Sequence, residues 1–250
     1  MAGVILSTVV AVVIPLVLGG GQPGTSGIGP SSVTGPSAKS TCGLGQGVRS
    51  LAGQAGWGPS RPSFTMKDPA PYATIDAIVD NPYYGDERTF LDSKTYADKK
   101  AGSFCSVTSV GTGGDGELVL VRSFLEPSAA TNLGGANGVG TAKGVQLRFS
   151  ISGNGTSLVT LEATVTSANT IPPAIWAGTQ ISAPWPFEAV PVQGSAIAYS
   201  EGHNVRGVPV ASTVWTTGAP IGPGGVLDPG AQSDTIVVGL VRVTRIATGP

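Results

Sequence analysis

Glycine and proline decide what this chain can become. There are 38 glycines and 20 prolines among its 250 residues. Both weaken a helix interior, glycine through backbone entropy and proline through its missing N–H. Both are at home in turns. At this density the reading is a turn-rich β domain with at least one flexible segment. An apolar share of 40% still supplies a core, so the chain is not disordered throughout. Its length suits one large or two small β domains.

Charged residues make up only 12% and the formal net charge is −1. No basic run is present, so nothing draws the chain to phosphates, and nucleic acid is not an expected partner. The two cysteines, Cys42 and Cys105, read as a disulfide in an exported chain. The alternative is two buried thiols. With the lone His203 they do not make a zinc ligand set. No metal and no cofactor is expected.

Residues 4–18 are almost wholly apolar, broken only by Ser7, Thr8 and Pro15. The run lies between a signal-peptide core and a full membrane span in length. Residues 1–21 are therefore expected to be a signal peptide or a single membrane anchor. Residues 22–63 read as a Gly/Pro/Ser-rich linker and irregular segment. Residues 64–250 read as the β domain. The expected location is extracellular or at the cell surface.

Within that domain, residues 72–79 alternate and suggest a first strand. Residues 92–102 read as a charged loop, and 104–110 as a strand carrying Cys105. Residues 117–125, 144–152 and 157–167 are the clearest strands, the last two joined by the Asn154-Gly155 turn. Residues 171–186 hold four prolines and read as an irregular connection. Residues 187–192 and 196–200 are short strands, and 208–214 an edge strand because of Pro209. Residues 235–246 form the terminal strand, with Val237, Gly239, Val241 and Val243 toward the core and Arg242 in solvent. Short strands without a helical period indicate an all-β, antiparallel sandwich.

Charge and aromatic side chains concentrate at residues 80–90: Asp80, Asn81, Pro82, Tyr83, Tyr84, Gly85, Asp86, Glu87, Arg88, Thr89 and Phe90. Pro82 disfavours the helical region for Asn81, so the stretch is a turn or corner. Asp-Asn-Pro, two residues, then Gly-Asp-Glu-Arg and an aromatic resembles the signature of bacterial exported proteins with an immunoglobulin-like "conserved repeat" β-sandwich. The likeness extends loosely from residue 73 to 246. It includes the Gly194-Ser195-Ala196 segment and the Leu227, Pro229, Gly230 turn. One departure is a polar His-Asn-Asn hairpin, replaced here by Glu126-Pro127-Ser128. The resemblance implies an immunoglobulin-like fold and a surface-associated domain, with no established activity.

The motif offers Asp80, Asp86 and Glu87 as oxygen ligands for calcium, but not at EF-hand spacing. The plainer reading is a fold-defining turn locked by an ion-pair network of Asp86 and Glu87 with Arg88. Catalysis finds little support. His203 has no nucleophile elbow to serve. Asp76, Glu162 and Glu188 are candidate paired acids that nothing singles out. The glycine-rich residues 134–140 lack the Gly-Lys-Ser/Thr ending of a phosphate loop. Tyr83, Tyr84, Trp176, Trp185 and Trp215 could instead contact a ligand, with core packing as the alternative. The expectation is therefore a non-enzymatic structural or interaction module that meets the cell envelope or another surface protein. Carbohydrate or cell-wall binding is the second reading, and a hydrolase on a β-sandwich the third.

Overall fold

The computed structural model describes residues 56–82, 84–100, 103–200, 206–230 and 233–247. The expected signal or anchor, Cys42, Tyr83 and His203 lie outside them. The described residues are all-β, with three short 3-10 turns and no α-helix among them. The strands are β1 Gly56–Gly58, β2 Leu91–Thr95, β3 Val107–Ser109, β4 Leu118–Leu125, β5 Ala142–Lys143 and β6 Gln146–Ser152. They continue as β7 Thr156–Thr166, β8 Ala174–Pro191, β9 Ile197–Ser200, β10 Val208–Pro209, β11 Ala219–Pro220, β12 Val226–Leu227 and β13 Thr235–Arg245.

Eleven strands join one sheet, while β5 and β12 form a separate pair. All pairings of named strands are antiparallel except β3 with β8. One ladder runs β2–β4–β13–β9–β10 and another β8–β7–β6–β11. β8 joins them. One of its edges pairs with β7, while three partners follow one another along the chain: β1 at Trp176–Gly178, β3 at Gln180–Ser182 and β13 at Phe187–Pro191. Alternation sets the core. Leu147 and Phe149 of β6, Val159, Leu161, Ala163 and Val165 of β7, and Val237, Val241 and Val243 of β13 are buried. Arg148 and Arg242 face solvent, as the period of two requires.

The structure corrects several expectations. Residues 171–186 are not an irregular connection, because most of them lie in the 18-residue β8. Pro184 and Pro186 fall where β7 slips register between Thr156 and Leu158, so their missing N–H groups interrupt no regular ladder. Residues 92–102 are not simply a loop, because β2 begins at Leu91. Its Asp92 faces Arg122 across the ladder and binds it in a bidentate pair, 2.6 and 3.0 Å. Lys94 donates to the Lys100 carbonyl at 2.9 Å. Asp92 and Lys94 are thus partnered within the fold, while Lys99 and Lys100 remain exposed. Residues 72–79 make only isolated bridges, from Ile75 to Pro127 and from Ile78 to Phe64. Ala73 through Ile78 are buried on both sides, and Asp76 sits at a φ of 50°, so no regular strand forms. Of residues 208–214, only Val208 and Pro209 extend, at the sheet edge as Pro209 demands. Ser212–Trp215 is a 3-10 turn. Finally, the body reaches N-terminal to residue 64, since β1 pairs with β8 and Trp57 is buried.

Candidate functional site

The 80–90 corner is built from backbone hydrogen bonds outward. Asn81 and Gly85 exchange both of theirs, at 2.7 and 3.2 Å, closing a tight loop around Pro82. Gly85 has a φ of +71°, which favours glycine there. The Asn81 Oδ1 accepts the Tyr84 N–H at 3.2 Å. That contact orients the amide, leaving its Nδ2 to donate inward.

The motif's three carboxylates then diverge. Exposed Asp80 accepts the Met66 N–H at 2.8 Å. Asp86 takes Arg88 in a bidentate pair at 2.6 and 2.8 Å. The Arg88 guanidinium lies 4.3 Å from the Trp57 ring centroid, and Arg61 lies 5.3 Å from it. Glu87 departs from the expected ion-pair network. It turns inward and is fully buried. Its Oε1 accepts Asn81 Nδ2 at 2.7 Å, while the same Nδ2 donates to Glu126 Oε2 at 3.0 Å. One amide thus bridges two acids. The three carboxylates do not converge on a common point, as a calcium ion would need. Among the described residues, no group of three or more His, Cys, Asp or Glu could hold a metal ion.

Burial, followed by the nearby Glu126 charge, pushes the Glu87 carboxyl up to about 10. Burial also raises Glu126, while its hydrogen bond with Glu87 pulls the other way. Burial and their mutual hydrogen bond thus make the two carboxyls one coupled pair that keeps a proton above the ordinary carboxyl range. Asp76 backs the pair. Its Oδ1 accepts the Glu126 N–H at 2.8 Å, and its own N–H donates to the Glu126 carbonyl at 2.9 Å. Its carbonyl accepts Arg61 Nη2 at 2.8 Å. Burial lowers Arg61 to about 10, against the opposing pull of Asp76. A neutral carboxyl beside a charged one is what general acid chemistry uses. Here, however, these groups join the turn to the Asp76 and Glu126 segments, and Glu87 has no exposed surface.

The other candidates lie apart. Tyr84 is half-buried and stacks on Phe124 with centroids 3.9 Å apart. Trp185 and Trp215 are not surface ligand contacts: they are 6% and 8% exposed, packed on Phe187 and Phe149. Their size is better spent filling the core. Trp176 alone of the four tryptophans is not buried. Asp76, Glu162 and Glu188 do not form an acid pair: Asp76 is buried at the corner, Glu162 pairs with Gly178 and Glu188 with Thr244. In the 134–140 loop, Gly135 N–H donates to Asp228 at 3.1 Å, a carboxylate where a phosphate loop would need a phosphate.

Sequence reasoning missed Glu126 as Glu87's partner. Its only signal was the position at which the chain departs from the resembled hairpin. Compared with family models, curated proteins and solved structures, the chain matches none.

Proposed function

We propose that the chain is an exported, surface-associated structural or interaction module without enzymatic activity. The observation that carries this is the inward turn of the 80–90 motif. Its most chemically capable group, Glu87, is sealed in the fold and bound to Asn81. The motif's remaining charges are engaged by Met66 and Arg88. The two ladders, each with an apolar face buried in a common core, support an immunoglobulin-like sandwich as the finer fold. The apolar 4–18 run supports export, and a partner in the cell envelope or on another surface protein follows from that location. Affinity capture from intact cells, paired with fractionation, tests the reading. The expected result is recovery outside the cytoplasm with a specific envelope or surface partner. Recovery in the cytoplasm would sink it.

The Cys42–Cys105 bridge belongs to the same proposal. Export supplies the oxidising setting that such a bridge needs. Intact mass is expected to rise by about two hydrogens on reduction. An unchanged mass would mean two thiols instead.

A further inference from the structure

The segment between β10 and β11 crosses from one ladder to the other. The Val210 N–H donates to the Ala196 carbonyl at 2.9 Å, beside β9, and Ala219 pairs with Leu147 of β6. We infer that residues 211–218, between these two anchors, form a lid that swings out as one piece. Trp215 is its plug, and opening bares a ring-sized seat between β6 and β13. The inference does not depend on the surface-module reading.

The seat is built from both ladders. On β6, the Trp215 ring meets Phe149 with centroids 4.9 Å apart. On β13, it meets Gly239, in the middle of the strand. A Cβ built at Gly239 would stand 2.7 Å from Trp215 Cζ2, too close for any side chain to fit beside the ring. Gly239 shares the core face with Val237 and Val241, both fully buried. Its φ is not left-handed, so the backbone does not ask for glycine there. A glycine inside a strand weakens it and marks a close approach. Here the approaching group is the indole: β13 gives up a side chain to admit it.

Little else holds the loop in place. Its hydrogen bonds with described residues all close on the loop itself. The Val214 N–H donates to the Ala211 carbonyl at 3.0 Å, and the Thr216 and Gly218 N–H groups donate to the Thr213 carbonyl at 2.9 and 2.8 Å. The Thr216 hydroxyl donates to that same carbonyl at 3.3 Å. A loop bonded this way carries its hydrogen bonds with it as it swings and breaks none of the sheet's. Ala211, Ser212, Thr213, Thr216 and Thr217 are exposed, while Val214 and Trp215 are buried. Gly218, at a φ of +105°, supplies a hinge at the β11 end. The buried Trp215 Nε1 has no hydrogen-bond partner among the described residues. Water supplies one once the ring leaves, so opening recovers a bond that closure forgoes. Segments with few buried contacts open locally, below the free energy of global unfolding.

Hydrogen exchange followed by NMR on the intact chain tests the lid, with Trp185 as the internal control. The Trp185 Nε1 is likewise buried without a partner among the described residues, but it belongs to β8. The Trp215 Nε1–H is expected to exchange at least about tenfold faster than that of Trp185. It should do so in step with the Val214, Thr216 and Gly218 amides, each corrected for its intrinsic rate. Gly239→Ala crowds the seat and should speed Trp215 and the three loop amides together by about tenfold or more, leaving Trp185 unchanged. A Trp215 as slow as Trp185 overturns the lid, as do loop amides that exchange out of step with it, or a Gly239→Ala that changes neither. Where Gly239→Ala loosens the whole fold and Trp185 accelerates with Trp215, Trp215→Ala decides. Loss of protection confined to the three loop amides supports the lid, and loss that spreads to the β13 amides overturns it.

Discussion

Replacing Glu87 with glutamine is expected to stabilise the protein at neutral and alkaline pH, and to flatten the dependence of its stability on pH. The Glu87 carboxyl is pushed up from 4.5 to about 10 by burial and by Glu126. A raised carboxyl binds its proton more tightly folded than unfolded. Its contribution is fully present below about 4.5 and is lost as pH climbs toward about 10. At pH 7 the loss is about 3 kcal/mol relative to acid conditions, on the order of 5–10 °C in melting temperature for a domain of this size. Glutamine cannot ionise. Its amide can still donate toward Glu126, and its oxygen can still accept from Asn81. Urea unfolding of both proteins from pH 5 to 9 checks this. Parallel stability curves across that range would show that Glu87 is not the buried acid described.

The opposite outcome is expected at β2. Arg122→Ala should cost about 3–5 kcal/mol, because it strands the Asp92 carboxylate, 6% exposed, without its partner. Burial alone would lower the Arg122 guanidinium, but Asp92 outweighs it and holds it above its ordinary value. The guanidinium also lies 3.8 Å from the Phe104 ring centroid, so the variant loses packing as well as charge. Removing both charges with Asp92→Asn and Arg122→Met should cost less than Arg122→Ala alone. Chemical unfolding of the three variants separates these cases. A loss below about 1 kcal/mol for Arg122→Ala would mean that the pair behaves as an exposed surface bridge.

Strands β6 and β7 could be read because a period of two divides buried from outer faces over much of their length, and β13 because its C-terminal half alternates, whereas β4, buried on both faces, was legible from its run of Val, Leu and Phe. Strand β2 was hidden because its charges find partners across the ladder, which no local pattern reveals. Strand β8 was hidden by prolines that happen to occupy a slip in register. The 80–90 corner was recognisable as a turn from Pro82 and Gly85. Its inward acid was not, since Glu87 meets Glu126 through Asn81 and the two acids lie far apart in the chain. Alternation at 72–79 misled because both sides are buried and Asp76 leaves the extended region.

The placement of β13 bears on how the molecule is assembled as it emerges. That one strand completes the edges of β4, β8 and β9, pairing Thr235 with both Leu125 and Ser200, and Arg245 with Phe187. Until residues 235–245 are available, all three edges stand open together. Open edges recruit foreign strands, and contacts this distant in sequence close slowly. A chain stalled in synthesis before Thr235 would carry most of its core but none of this closure. The last strand thus acts as the latch of the fold, and an escort that shields β4 would act in that interval.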